Sequence, residues 1–236
     1  MKIRMLNIKL VLVESKYQIN LGYIARTAKN FGLSKLYLLN PKCNFNGSNA
    51  IKYSKHAREL LQNAVVIKNL SNITKNNLII GTTGIWTKTS SAFFNINDPD
   101  MAYKKIKKSS QKNICLLIGR DNTGLTKEEL MLCDLTIFIP ANKKYPVLNI
   151  SHALAIILYQ LTKEDFKKNY NFNNLYANMN QIKNSVNLFK EFIKSSQHIR
   201  NKKAISMIFE HVLKRANPTS NELKALNILF HKNNKN

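Results

Sequence analysis

The sequence predicts an α/β fold, a mainly parallel sheet with helices on both faces, followed by a small all-α C-terminal domain. Three observations lead there. Short apolar runs of strand length recur along the first two thirds of the chain, and segments with helical spacing stand between them. Beyond about residue 165 the strand-like runs cease and only amphipathic helices follow. Strands joined through helices pair in parallel, and helices then cover both faces of the sheet, so each strand reads as an unbroken apolar run. At 236 residues the chain is long enough for one large domain and a smaller appendage.

Taken in order, Ile8 to Val13 ("IKLVLV") form the first strand. The segment "INLGYIARTAKNFG" follows as a helix, with Leu21, Ile24, Ala25, Ala28 and Phe31 on one face and Gly32 as its C-terminal stop. "KLYLL" is a second strand, "SKHARELLQN" a helix, "AVVI" a short strand and "NLIIGTT" another strand ending in small residues. A helix over "DPDMAYKKIKKS" precedes the strand "ICLLIG". The capped helix "TKEEL" leads to the strand "LTIFIP", and Asn149 begins a helix running to about Leu161.

These elements define a domain over residues 1–165. Residues 166–178, rich in Asn and weakly periodic, read as a linker. Residues 179–236 read as a basic helical domain with three stripes: Ile182, Val186, Phe189 and Ile193; Ile205, Ile208, Val212 and Leu213; Leu223, Leu226, Leu229 and Phe230. Thr219 and Glu222 have capping-box spacing.

The charge is lopsided: 37 Lys and Arg against 13 Asp and Glu, or +24. That balance points to a polyanionic partner such as nucleic acid. Base composition of an AT-rich genome would raise Lys as well, but it should also raise Glu, and acids are scarce here. A membrane span is disfavoured, because the most apolar helix, "LNISHALAIILYQL", is short and carries Asn149, Ser151, His152 and Gln160. The basic and then apolar N-terminus has no small-residue cleavage pattern and reads as the first strand. Cys43, Cys115 and Cys133 are widely spaced, with no metal-binding pattern, and suit reduced thiols of a cytoplasmic protein.

In an open parallel sheet, ligands bind beyond the carboxyl ends of the strands. Three such ends stand out: "GTTGI" (81–85), "GRDNTGL" (119–125) and "IPANKKYPVLN" (139–149). Each one alone is compatible with an ordinary strand-to-helix turn. None carries the glycine patterns of dinucleotide or nucleoside-triphosphate sites.

In combination, "NLGYIARTAKNFGLSKLYLLNP", "CLLIGRDNTGLTKEELMLCDLTIFIP" and "LNISHALAIILYQL" resemble, in order and spacing, the three signature motifs of the SPOUT superfamily. The likeness is to its SpoU/TrmH-type ribose 2′-O-methyltransferases, and with "GTTG" and "YPVLNISHA" to the TrmJ branch. It covers about residues 8 to 163. The resemblance implies a deep trefoil knot at the end of the sheet domain and S-adenosylmethionine (S-adenosyl-L-methionine) as cofactor. That cofactor would be held at Thr82, Thr83, Gly84, Ile118, Gly119, Arg120, Ile139 and Leu148. It also implies a homodimer through the knot helices, with the apolar face of the helix after Asn149 serving as dimer surface as readily as core. The implied substrate is a tRNA, methylated at nucleotide 32 of the anticodon loop. Ribosomal RNA, or a catalytically degenerate RNA-binding protein, stand as the other readings.

The catalytic set implied is Arg26, Asn20, Asp121 and Asn149. Asn20 as N-cap would hold its loop, and Gly22 would let the backbone or a nucleotide come close. Arg26 would project to the same end of the sheet, where a guanidinium suits a phosphate clamp and alkoxide stabiliser better than a base. Asn149 would orient the site. Methyl transfer from a sulfonium needs no metal, and none is expected. Two positions depart from the motifs: Asp121 stands where Glu is usual, and Val147 where Ser is frequent.

Overall fold

The computed structural model describes residues 6–167, 170 and 175–231. The chain divides into two compact units, Met1–Phe166 and Lys167–Asn236. Part of the segment read as a linker lies outside the described residues.

The first unit alternates strands and helices: β1 (Asn7–Val13), α1 (Gln18–Asn30), β2 (Leu36–Leu39), α2 (Ser48–Ser54), α3 (Arg58–Gln62), β3 (Val65–Ile67), α4 (Ser71–Thr74), β4 (Leu78–Thr83), α5 (Lys88–Phe94), β5 (Ile96–Asn97), α6 (Pro99–Lys108), β6 (Asn113–Ile118), α7 (Lys127–Met131), β7 (Leu135–Phe138) and α8 (Ile150–Lys167). The strands form one seven-stranded sheet in the order β3-β2-β1-β6-β4-β7-β5, with every pairing parallel.

The unbroken apolar runs follow from a sheet buried on both faces. On β1, Leu10 and Leu12 enter one core with Leu21 and Ile24 of α1 and Leu154 and Leu158 of α8. Val11 and Val13 enter the opposite core with Cys115, Leu117, Leu125 and Leu130. Fully burying each such side chain contributes about 1.5–3 kcal/mol. α1 ends as expected, at Gly32 with φ +78°, a backbone position that disfavours a Cβ. Asp98 caps α6 ahead of Pro99, accepting from Asp100 N and Met101 N. Thr126 and Glu129 form a capping box on α7.

Several elements differ from the sequence reading. The helix expected over "SKHARELLQN" begins earlier, at Ser48, and is broken at Lys55, whose φ of +52° re-aims the chain into a 3-10 turn before α3. The short elements α4, α5 and β5 were not expected; two to seven residues carry too little periodicity to show. α8 continues past Leu161 to Lys167. The apolar stripe of α8, Leu154, Ile157, Leu158 and Leu161, is core, leaving Ile156 and Tyr159 exposed. Among the described residues, no helix is long and apolar enough to cross a membrane.

The described residues of the second unit include α9 (Met179–Lys194), α10 (Lys202–Ala216) and α11 (Ser220–His231). Ile182, Val186, Leu213 and Leu223 form its core, with Phe209 and Leu226 packed against them. Phe189 stacks on Phe209 at 4.2 Å between centroids, and Phe230 meets both edge-on. The Thr219–Glu222 capping box is present. The second predicted stripe is corrected: Ile205, Ile208 and Val212 are exposed, and α10 buries Ser206 and Leu213 and packs Phe209 inward instead. Leu229 of the third stripe is exposed as well. With apolar residues on both sides of each helix, spacing alone does not choose the buried face.

Candidate active site

The strand order places β6, β4 and β7 side by side and parallel, so the three loops beyond their carboxyl ends emerge at one edge of the sheet. There they enclose a cavity of about 350 Å³. All eight residues predicted to hold a cofactor line it: Thr82, Thr83 and Gly84 after β4; Ile118, Gly119 and Arg120 after β6; Ile139 and Leu148 after β7. Leu125, Leu130, Ile137 and Ile157 supply aliphatic wall, and Asp121 and Lys127 add charge of both signs. Thr82 Oγ1 donates to the Leu117 carbonyl at 3.1 Å, locking β4 to β6 at the cavity floor.

Gly119 is required by packing. A Cβ there would lie 2.1 Å from the Gly124 carbonyl carbon, because the loop folds back and Arg120 and Gly124 exchange backbone hydrogen bonds at 3.1 and 3.0 Å. The Arg120 side chain points into a clamp. It reaches Glu129 through two bonds, at 2.9 and 3.1 Å, and Glu14 through Nε at 3.1 Å. These two carboxylates hold the guanidinium charged, Glu129 most of all, and Arg120 in turn keeps the Glu14 carboxyl below its ordinary range. Sequence reasoning missed Glu14 and Glu129. The signals were there: Glu14 follows directly on a strand end, and Glu129 sits at the capping-box position of α7.

Three of the four predicted catalytic residues form one hydrogen-bonded chain. Asp121 Oδ2 accepts from Lys16 N at 2.9 Å and from Tyr17 N at 3.4 Å, and its Oδ1 accepts from Asn20 Nδ2 at 2.6 Å. Asn149 Nδ2 donates to Asn20 Oδ1 at 3.2 Å. Asn149 Oδ1 then receives Ser151 N and Oγ at 2.9 and 2.8 Å, capping α8. Asn20 is therefore not the N-cap of α1. Tyr17 occupies that position with no side-chain capping bond, and the carboxylate of Asp121, from another loop, holds the backbone N–H groups of Lys16 and Tyr17 just ahead of the helix.

Arg26 stands apart. It is exposed on α1 and lines a separate basic groove with Lys29, Asn30, Lys55 and His56, not the cavity of its own chain. Of the two approaches expected at Gly22, backbone or nucleotide, the structure shows the backbone one: a Cβ there would lie 2.7 Å from Ala50 O and Tyr53 Cβ, so the residue lets α1 and α2 pack. Val147 packs against the Gly84 position, where an added Cβ would lie 3.4 Å from Val147 Cγ2.

Burial pushes the thiol of Cys133 up to about 12 and that of Cys115 up to about 11, so neither offers a thiolate at neutral pH. Among the described residues, no group of three or more His, Cys, Asp or Glu could hold a metal ion.

Residues 7–159 match the model of the SpoU rRNA Methylase family. A tRNA (cytidine-2′-O-)-methyltransferase TrmJ from Sulfolobus acidocaldarius is 39% identical over 158 residues, covering 66% of this chain and 65% of that protein. The protein of the same name from Methanocaldococcus jannaschii is 33% identical over 214 residues, 89% of this chain and 92% of the relative. Among solved structures, TrmJ from Z. mobilis ZM4 superposes with a TM-score of 0.65 at 19% identity, covering 94% of this chain and 97% of that one. The SpoU methyltransferase AviRb from Streptomyces viridochromogenes, in complex with AdoMet, has a TM-score of 0.54 at 19% identity, covering 70% and 63%. The sequence match over most of the first unit and the shared fold lead to one conclusion: this chain belongs to the SpoU rRNA methylase family and is similar to its TrmJ-type tRNA 2′-O-methyltransferases.

Proposed function

We propose that this protein transfers a methyl group from S-adenosylmethionine to a ribose 2′-hydroxyl of tRNA, at nucleotide 32 of the anticodon loop, in the cytoplasm. The observation that carries this reading is the convergence of three strand-end loops on one cavity, tied through Asp121, Asn20 and Asn149 to the start of α1. The cavity fits the cofactor. Aliphatic walls suit an adenine ring, and the charges of Asp121 and Lys127 suit a zwitterionic amino-acid sulfonium. Gly119 lets the loop after β6 fold back onto the Gly124 backbone beside the cavity.

When bound, S-adenosylmethionine supplies an electrophilic methyl group on sulfur. The chain supplies alignment. Both oxygens of Asp121 are engaged by N–H donors, so its role is to brace the loop and not to accept the hydroxyl proton. Because Asp121 reaches all three donors, the shorter side chain leaves the bracing intact, which argues against a degenerate site. Arg26 would hold an RNA phosphate beside the reacting ribose and stabilise negative charge developing on O2′.

Arg26 lies outside the cavity of its own chain. We therefore infer a homodimer in which each copy's Arg26 serves the other's cavity, with the exposed Ile156 and Tyr159 of α8 in the interface. The resemblance further implies that the last part of the parallel-sheet domain threads through a loop to form a deep trefoil knot. The helices after residue 178 would form a separate basic RNA-binding domain.

The test is to incubate purified protein with labelled S-adenosylmethionine and either unmodified tRNA or ribosomal RNA, then to map the methylated ribose by mass spectrometry. Label at nucleotide 32 of tRNA is the expected result. Label confined to ribosomal RNA would move the substrate, and no transfer to either would overturn the reading.

A further inference from the structure

Two exposed loops rim the mouth of the cavity and abut each other. An added Cβ on Gly84 in the loop after β4 would lie 3.4 Å from Val147 in the loop after β7. Ile85 and Pro146, the next residues outward on each loop, both line the cavity. The residues one step further out are Trp86 and Tyr145. Both are aromatic and both face solvent, 52% and 83% exposed, with Ile85 and Val147 at 70% and 61% between them. Lys88, Lys143 and Lys144 flank the pair, all exposed.

Aromatic side chains left half or more in solvent contribute little burial to the fold, and a cluster of them beside a cavity marks a binding surface. Aromatic faces interleaved with lysines match single-stranded nucleic acid, whose bases stack on the rings while phosphates meet the cations. Three exposed lysines beside the rings, on a chain that carries +24, favour a polyanionic strand over a neutral or basic surface.

We propose that Trp86 and Tyr145 form a stacking platform for unpaired RNA bases that flank the nucleotide delivered to the cavity. The proposal rests on the reading of this site as an RNA ribose methyltransferase and adds the residues that hold the substrate's bases. Stacking tolerates any base, so the platform would fix the position of the strand, and sequence preference would come from elsewhere.

Trp86 is the single tryptophan of the chain and so reports on its own site. Full-length protein is titrated with an unmodified anticodon-arm stem-loop and, separately, with oligouridylate, following tryptophan fluorescence and the anisotropy of labelled RNA in parallel. Quenching that tracks the anisotropy curve is expected. Trp86→Ala and Tyr145→Ala should each raise Kd about 5- to 100-fold, while Trp86→Phe should stay within about threefold because a ring remains. Both alanine variants should keep the affinity of the parent for S-adenosylmethionine, which separates a stacking role from collapse of the loops.

RNA binding and methylation that persist with unchanged fluorescence and unaltered Kd in the alanine variants would overturn the platform while leaving the enzyme reading intact. No RNA binding by the parent would overturn both. Fluorescence that responds to dilution but not to RNA would assign the patch to contact with a second copy of the chain, and would also overturn the proposal.

Discussion

Asn20 Nδ2 donates to Asp121 Oδ1 at 2.6 Å, joining the first turn of α1 to the loop after β6 across 101 residues of chain. The same carboxylate takes the backbone N–H groups of Lys16 and Tyr17. One short side chain thus braces both the approach to a helix and the rim of the cavity.

Asp121→Ala leaves those donors without their acceptor. It should cost about 1–3 kcal/mol of stability, read by chemical denaturation, and should weaken methyl transfer more than stability alone explains. Asp121→Asn, which keeps one acceptor oxygen, should fall between the variant and the parent.

Arg26→Ala should leave thermal unfolding within about 0.5 kcal/mol of the parent, since the side chain is exposed on a helix. Methyl transfer should nevertheless fall about 10²- to 10³-fold, as for loss of a group that stabilises developing charge. Mixing Arg26→Ala with a variant disabled in the cavity should restore part of the activity if the two sites of a dimer exchange this residue.

Gly119→Ala places a methyl group on the Gly124 backbone, which cannot swing aside as a side chain does. The loop must open, and the expected cost is about 1–3 kcal/mol or more. Loss of S-adenosylmethionine binding by calorimetry should accompany it, whereas Gly84→Ala, with only an ordinary contact to Val147, should fold normally.

The clamp on Arg120 sets an acid limit. Arg120 holds the folded-state pKa of Glu14 below its unfolded value, so the stabilisation is complete above the unfolded value of about 4.3 and is lost as pH falls through the lower folded value. Glu14→Gln should therefore flatten the pH dependence of Tm below about pH 4.3, with little change in that slope at neutral pH.

Cys115 and Cys133 should resist alkylation by iodoacetamide at pH 7 in the native protein, because burial withholds their thiolates. Mass spectrometry after brief treatment should find them unmodified, and unfolding in urea should expose both.

Much of the fold was legible because its signal is local. β1, β4, β6 and β7 read as apolar runs, and Gly32, Asp98 and Thr126 mark helix ends by chemistry that acts within a few residues. The cavity residues were legible for a related reason. Ligands of parallel sheets gather at strand ends, and strand ends can be located along a chain even when their neighbours cannot.

What the sequence by itself determined is therefore the alternation of elements, the basic character of the chain and the loops that reach the cavity. Only the tertiary structure decided which partners those loops meet. It showed that Asp121 braces the approach to a helix it does not belong to, and that Gly22 serves α1 against α2. It also turned Arg120 into a clamp between Glu14 and Glu129, and put Arg26 in a groove of its own. The physical reason is range. Periodicity and capping act over one or two turns, whereas these contacts, the Arg120–Glu129 bonds excepted, join residues about 30 to 130 positions apart, and their geometry exists only once the sheet has set the strand order.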